Sequence, residues 1–180
     1  MRSINSVVVA AIAAASAMIV ATVPAAARPN PGATASFEGT TINLAHGWGD
    51  AVACTADGYS TTCFRSEADM DAHLASGAGS ESATSAESVL AACSTSLRLY
   101  DGTNYSTPVL SLSSRGVWTN LSSYGFDNRT SSYRVGACAA YFAENASGGG
   151  SWYPGNTAAG AQSSSMLSGW DNRVSSIYLT

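Results

Sequence analysis

One stretch near the C-terminal end occurs twice, first as Gly125-Phe126-Asp127-Asn128-Arg129-Thr130-Ser131-Ser132-Tyr133 and again as Gly169-Trp170-Asp171-Asn172-Arg173-Val174-Ser175-Ser176-Ile177. Six of the nine positions are identical, and the first variable position is aromatic in both copies. Repetition at a fixed period indicates a repeated supersecondary unit. Two motifs of about 40 residues each therefore account for the chain from residue 97 to residue 179.

The repeated core, Asp-Asn-Arg-x-Ser-Ser, is rich in side chains that carry oxygen. Carboxylate, amide and hydroxyl oxygens are the hard ligands that Ca²⁺ takes, usually six to eight at a time. Asp, Asn and Ser also stabilise turns without any ligand, so a single copy would mean little. Two copies in register favour a pair of calcium-binding loops. The structural alternative, in which the loops serve only as turns, stays open.

The chain around the repeat has the texture of short β-strands. Apolar and aromatic runs of three to six residues alternate with turns rich in Gly, Asn and Ser, and no helical period of useful length appears. The strand candidates are Leu97–Leu99, Val109–Leu112, Val117–Trp118 and Ser132–Val135. This spacing is typical of an all-β sandwich.

The pattern resembles that of the βγ-crystallin superfamily, in particular its microbial calcium-binding members. Their signature is (Asn/Asp)-(Asn/Asp)-x-x-(Ser/Thr)-Ser, once in each Greek-key motif, and both copies here match every fixed position. The family also carries an aromatic residue in the first hairpin of each motif, followed by Gly. Phe142 and Gly149 fit this in the second motif; in the first, Tyr100 fits but Thr107 stands where Gly is expected.

The resemblance implies two Greek keys packed as a sandwich, with two calcium sites. It implies one ligand set of Asn128, the Arg129 carbonyl and Ser131, completed by Glu144 or Asn145 of the other motif. It implies a second set of Asn172, the Arg173 carbonyl and Ser175, completed by Asp101 or Gly102. Asp127 and Asp171 occupy the first signature position and are expected to brace the loops.

Four cysteines allow three disulfide connectivities. Cys54 and Cys63 flank Asp57-Gly58, a strong turn signal, and a loop over residues 57–60 would place the two cysteines opposite each other. We therefore expect a Cys54–Cys63 bridge, which leaves Cys93 to pair with Cys138. A zinc site that uses these cysteines with His46 and His73 is the competing interpretation, but the spacing is not that of zinc motifs.

The N-terminal half divides into two parts. Residues 1–27 have a basic start, an apolar run and an Ala25-x-Ala27 end, which is typical of a secretory signal peptide. Residues 28–92 are expected to be a small α+β module and linker: a loose arm over 28–36, strands over Thr40–Leu44, Ala51–Cys54 and Thr61–Phe64, and a helix over Glu67–Ala75 capped by Ser66. Residues 77–82 are expected to be a linker, and residues 85–92 to add helical turns. Residues 93–180 are expected to form the Greek-key domain.

The composition excludes several classes of function. Only 11% of the residues are charged, none is Lys, and the net charge is −4. Binding of nucleic acid needs a basic surface, so we expect none, and we expect no membrane insertion after the signal peptide is removed. No nucleophile motif or phosphate-binding loop is present, so we do not expect an enzyme.

The sequence thus predicts a secreted, non-enzymatic calcium-binding protein in which calcium acts mainly as a stabiliser. Extracellular modules bind calcium weakly, which suits this role. Two alternatives remain. One is a secreted inhibitor of metalloproteinases or other extracellular proteases, a function that the resemblance brings with it. The other is an envelope-binding or adhesion module, with its partner site in residues 28–92.

Overall fold

The structure is a computed structural model that describes residues 34–77 and 92–180. The predicted signal peptide at residues 1–27 lies outside the described residues, as do nearly all of the predicted linker and of the helical turns expected over residues 85–92. Within the described residues, no helix is long and apolar enough to cross a membrane.

The second half of the chain folds as two similar motifs of short strands. The first motif consists of β5 (Ala92–Tyr100), β6 (Val109–Ser114), β7 (Trp118–Asn120) and β8 (Ser132–Arg134). The second consists of β9 (Ala140–Ala143), a single bridge between Ala143 and Trp152, β10 (Gln162–Ser163) and β11 (Ser176–Leu179). The predicted strands after residue 97 are all found, with bounds that differ by a few residues.

The two motifs exchange their third strands. β7 of the first motif pairs with β11 of the second, and β10 of the second pairs with β8 of the first. Each sheet of the sandwich therefore contains strands of both motifs. This arrangement is the expected sandwich of two Greek-key motifs.

The core lies between the two sheets and is built by alternation along the strands. Leu97 and Leu99 of β5 point inward, as do Phe142 of β9 and Ile177 of β11, and each of these side chains is at most 1% exposed. Tyr133 of β8 meets Phe142 across the sandwich, with ring centroids 5.1 Å apart. Alternating residues bury one face of each strand because successive side chains point to opposite sides.

The N-terminal segment extends the first sheet. Its strands are β1 (Thr34–Phe37), β2 (Thr40–Asn43), β3 (Ala53–Ala56) and β4 (Thr61–Phe64), and β3 pairs in parallel with β6. The sheet consequently has eight strands in the order β10-β8-β5-β6-β3-β4-β1-β2. The loose arm predicted over residues 28–36 is wrong for Thr34 to Ser36, because these residues pair with β2 and bury Ala35 in the main core. The domain boundary at residue 92 stays a prediction.

The single α-helix in the described residues, α1 (Glu67–Ala75), has the predicted bounds. The Ser66 hydroxyl accepts a hydrogen bond from the Asp69 backbone N–H and caps the helix, as the sequence indicated. α1 packs on the outer face of the first sheet, with Met70 fully buried against Ala53, Tyr100 and Val109. Its acidic residues Glu67 and Asp71 both bond Arg98 of β5.

Both predicted disulfides are present. Cys54 and Cys63 lie directly opposite each other on β3 and β4, with a four-residue connection over residues 57–60, as expected. Cys93 is bonded to Cys138, which joins the beginnings of the two motifs. No cysteine in the described residues is free, so the zinc alternative has no thiolate ligands.

Candidate metal centre

The two repeated loops lie next to each other and are joined by hydrogen bonds. Asn128 and Asn172 both adopt left-handed backbone conformations, with φ of 54° and 55°. Asn tolerates this region better than most residues, which accounts for its presence at this turn. The Asn128 N–H donates to the Val174 carbonyl (3.0 Å), and the Asn172 N–H donates to the Thr130 carbonyl (3.1 Å). The loops are thus held together by equivalent hydrogen bonds in both directions.

The oxygen-bearing side chains are exchanged between the loops. The Ser131 hydroxyl donates to Oδ1 of Asn172 at 3.3 Å, and the Ser175 hydroxyl donates to Oδ1 of Asn128 at 3.3 Å. The first pair is half-buried and the second is exposed. Two equivalent pairs of oxygen atoms therefore lie at the surface between the motifs.

These hydrogen bonds pair the residues differently from the ligand grouping that the resemblance implies, which places Asn128 with Ser131 and Asn172 with Ser175. Each hydroxyl bonds the amide of the other loop. The backbone hydrogen bonds between the loops bring each serine close to the asparagine of the other loop. The sequence repeat showed that the loops were equivalent, but it contained no information about how they meet.

The first hairpin turn of each motif lies beside that motif's own serines. The Ser131 N–H donates to the Tyr100 carbonyl, and the Ser175 N–H donates to the Ala143 carbonyl. The hydroxyls that follow, of Ser132 and Ser176, donate to the carbonyls of Gly102 and Asn145, both at 2.6 Å. One candidate site therefore combines Asn172 and Ser131 with the turn at 101–102, and the other combines Asn128 and Ser175 with the turn at 144–145.

These contacts also correct the alignment of the two hairpins. Tyr100 is equivalent to Ala143 and not to Phe142, since both backbone carbonyls accept from the serine at the same signature position. The aromatic Phe142 is instead equivalent to Leu99, and both are buried. Asp101 and Glu144 are equivalent, as are Gly102 and Asn145, so the expected turn ligands occupy matching positions.

The two loop arginines neutralise those acids. Arg129 bonds Asp101 at 2.8 Å, and Arg173 bonds Glu144 at 2.6 Å. Each arginine also donates to the carbonyl of the glycine four residues before it, Gly125 or Gly169. The Arg173 guanidinium, helped by the Ser151 N–H, holds the pKa of the Glu144 carboxyl below its usual range. Both acids are thereby engaged by an arginine of their own motif.

The two aspartates at the first signature position are exposed and differ in their contacts. Asp127 accepts a hydrogen bond from Nδ2 of Asn128 at 3.1 Å, which orients Oδ1 of Asn128 toward Ser175. The described contacts include no such bond for Asp171 in the second copy. The bracing role expected of both aspartates stays a prediction.

The atoms at each site suit a hard cation. Amide, hydroxyl and backbone carbonyl oxygens are ligands that Ca²⁺ accepts at 2.3–2.6 Å. Two oxygens that share a cation at such distances, at right angles to each other, lie about 3.4 Å apart. Both Asn–Ser pairs have an oxygen separation of 3.3 Å. The described residues contain no cluster of three or more His, Cys, Asp or Glu side chains.

The sequence analysis missed one residue that supports the first loop. Trp48, from the N-terminal segment, stacks on Phe126 with ring centroids 5.5 Å apart. Its Nε1 donates to the Tyr124 carbonyl at 2.7 Å, and the Arg129 guanidinium lies 5.9 Å from its ring. A lone Trp between short strands carries no signal that it will pack against a loop 76 residues away.

Comparison with known proteins gives likeness at the level of structure alone. No protein-family model matches the chain, and no curated protein matches it. A βγ-crystallin from Ciona intestinalis is 17% identical, with a TM-score of 0.41; the match covers 47% of this chain and 99% of that one. The N-terminal domain of protein S is 22% identical over 47% of this chain and 94% of its own, with a TM-score of 0.39. A βγ-crystallin from an archaeon is 22% identical over 48% and 98%, with a TM-score of 0.37.

Proposed function

We propose that this chain is a secreted, non-enzymatic calcium-binding protein of the microbial βγ-crystallin type, in which calcium stabilises the pair of Greek keys. The observation that carries the proposal is the duplicated exchange of Asn and Ser oxygens between the two loops. The signal-peptide pattern of residues 1–27 supports secretion, and so do the two disulfides, which persist in oxidising compartments.

The chain's own residues explain why such a site would stabilise the fold. Each Asn–Ser pair joins a residue of one motif to a residue of the other, so a ligand held by both would resist separation of the motifs. The hydrogen bonds between the loops hold these oxygens close together in the folded chain only. A bound calcium would supply a divalent charge shared by the oxygens of both motifs.

The expected gain is modest at each site. With about 2 mM calcium and a dissociation constant near 0.1 mM, each site would add about 1.8 kcal/mol to the free energy of unfolding. Two sites would raise the melting temperature by roughly 7–14 °C for a chain of this size. Thermal unfolding in calcium and in excess chelator measures this directly. An unchanged midpoint would rule out a stabilising calcium site.

The exchange makes a sharper test possible. Ser131→Ala and Asn172→Ala lie in the same site, so the double variant should still bind one calcium ion. Ser131→Ala combined with Asn128→Ala removes one ligand from each site, and we expect it to bind none at calcium concentrations near 2 mM. Isothermal titration with Ca²⁺ counts the sites, and Thr41→Ala, an exposed hydroxyl on β2, is the control.

The two double variants distinguish ligands shared between the loops from ligands grouped within each loop. If the Ser131/Asn172 variant binds no calcium while the Ser131/Asn128 variant keeps one site, the ligands are grouped within each loop and the exchange is wrong. Calcium affinity that is the same in all variants and in the control would show that the loops are purely structural. Protease inhibition and envelope binding stay predictions from the sequence, since no observation in the structure favours either.

A further inference from the structure

Four aromatic side chains form a continuous surface on the outer face of the second sheet. Trp118, Tyr178 and Tyr141 lie side by side on β7, β11 and β9, directly in register. Trp152 packs against both Trp118 and Tyr141, with ring centroids 5.5 and 5.4 Å apart. Tyr178 lies 5.6 Å from Trp118 and 6.3 Å from Tyr141. We call these four residues the aromatic platform.

The platform is exposed and yet fixed in position. Trp152 is 52% exposed and Tyr141 46% exposed, the two highest values among the aromatic residues of the Greek-key motifs. The Trp152 Nε1 donates to the Gly148 carbonyl at 2.8 Å. The Trp118 indole lies against the Cα of Gly148 so closely that no Cβ would fit there. Rings held in place before binding lose little conformational entropy when a ligand arrives.

The shape of the platform is open. Neighbouring rings are inclined to each other by 35° to 58°. They therefore form a shallow surface. Quaternary ammonium ions are bound instead in cages, in which aromatic rings surround the cation. An open surface suits a ligand that is itself flat and extended.

Charge and area narrow the class of ligand. The strands that carry the platform, β7, β9 and β11, contain no charged residue. Nucleic acids and anionic membranes require Arg or Lys, so neither fits. The exposed aromatic area is roughly 300–400 Å², given that such side chains offer 150–250 Å² each when fully exposed. A stable protein interface needs about 800 Å² from each partner, which is more than this platform supplies.

The other motif shows what covers the equivalent face of the first sheet. The positions equivalent to Tyr141 and Tyr178 are Arg98 and Arg134, which pair with each other in the same way. Arg98 bonds Glu67 and Asp71 of α1, so α1 covers that position, while Arg134 is exposed and its guanidinium lies 4.0 Å from the centroid of the Tyr105 ring. On the platform, the same two positions are aromatic and at least partly exposed to solvent.

We propose that the aromatic platform binds a neutral glycan whose sugar rings have equatorial hydroxyls, such as a β-1,4-linked glucan or chitin. Such rings present flat faces of C–H groups, which stack on aromatic rings, while their hydroxyls remain at the edges in water. Ser147 and Ser151 are both exposed, and Ser151 directly precedes Trp152 in the sequence. This binding is separate from the proposed calcium sites and does not require them.

The test uses the full chain with microcrystalline cellulose, chitin beads and the soluble cello- and chito-oligosaccharides. The wild type should sediment with at least one of the two solids, and its tryptophan fluorescence should change on titration with the matching oligosaccharide. Trp152→Ala and Tyr141→Ala should each weaken binding at least about tenfold. Trp152→Phe should keep part of it. Tyr59→Ala, which changes an exposed tyrosine on the β3–β4 turn, is the matched control and should bind as the wild type does.

Several results would overturn the proposal. These are a wild type that binds neither glycan, or platform variants that bind as well as the control. Self-association or binding to neutral lipid vesicles that Trp152→Ala abolishes, without glycan binding, would assign the platform to another partner. Each titration is repeated in calcium and in chelator. If calcium stabilises the chain but no glycan binds, only the platform proposal fails. If glycan binds but calcium does not stabilise the chain, only the proposed function fails.

Discussion

The two Greek-key motifs contain the same loop in different surroundings. The first motif has two contacts with the N-terminal segment. Trp48 stacks on Phe126, next to the loop, and α1 packs over Arg98. In the second, Trp170 takes the place of Phe126 and packs against Tyr153 of its own motif. The two loops hold each other by equivalent hydrogen bonds, but the aromatic residue of the first loop also packs on the N-terminal segment, whereas that of the second packs within its own motif. The difference teaches that a repeat fixes the local turn but leaves its support to the rest of the chain.

The largest effect is expected when the outside support of the first loop is removed. Trp48→Ala should lower the free energy of unfolding by about 3–5 kcal/mol, since it removes a buried aromatic side chain together with its hydrogen bond to the Tyr124 carbonyl. Denaturant unfolding measures the loss. Leu167→Ala, at an exposed position, should change stability by less than about 0.5 kcal/mol. A small effect of Trp48→Ala would show that the first loop does not depend on the N-terminal segment.

The second-largest loss of stability is expected when the ion-pair cluster between α1 and Arg98 is disrupted. Glu67 accepts hydrogen bonds from both Arg98 and the Tyr100 hydroxyl, and burial together with Glu67 raises the pKa of Tyr100 to about 12. Glu67→Gln should cost about 1–3 kcal/mol, because a half-buried arginine loses part of its charge partner.

The control for that cluster is the exposed pair of Glu38 with Arg65. Glu38→Gln should cost no more than about 1 kcal/mol, as is usual for surface ion pairs. Equal losses at Glu67 and Glu38, measured by the same unfolding experiment, would mean that α1 contributes nothing specific to the first motif.

A smaller change, in the opposite direction, is expected inside the loops. Thr130 is fully buried, and its hydroxyl has no hydrogen-bond partner in the described structure, whereas the equivalent residue of the second loop is Val174. Thr130→Val should raise stability by about 1 kcal/mol, because a buried hydroxyl without a partner carries a desolvation cost. Val174→Thr, the reverse change, should lower stability by about 1–2 kcal/mol. Thermal unfolding of both variants tests the equivalence of the loops.

The smallest effect concerns pH. Because Arg173 lowers the pKa of Glu144 in the folded chain, this carboxylate stabilises the fold above the ordinary pKa of Glu. That contribution is lost as the pH falls through the lowered value. The melting temperatures of wild type and Glu144→Gln should therefore differ near neutral pH and converge in acid. Asp171→Asn, at an exposed neighbour, serves as the control, and a difference that persists in acid would contradict the assignment.

Much of the fold could be predicted because its signals are local. The cap at Ser66, the turn between Cys54 and Cys63 and the repeated loop each depend on residues close together in sequence. The strand candidates after residue 97 were found for the same reason. The parallel pairing of β3 with β6 was not predicted, because the two strands are about 55 residues apart and neither sequence indicates which strand it pairs with.

The candidate sites divide in the same way. The sequence by itself determined which residues carry the oxygens, since Asn128, Ser131, Asn172 and Ser175 follow from the repeat. Only the tertiary structure decided that each serine meets the asparagine of the other loop, that Trp48 supports one loop, and that four aromatic residues meet on one sheet. The physical reason is that residue type and turn conformation are encoded locally, whereas these contacts arise only when separate strands pack into one sandwich.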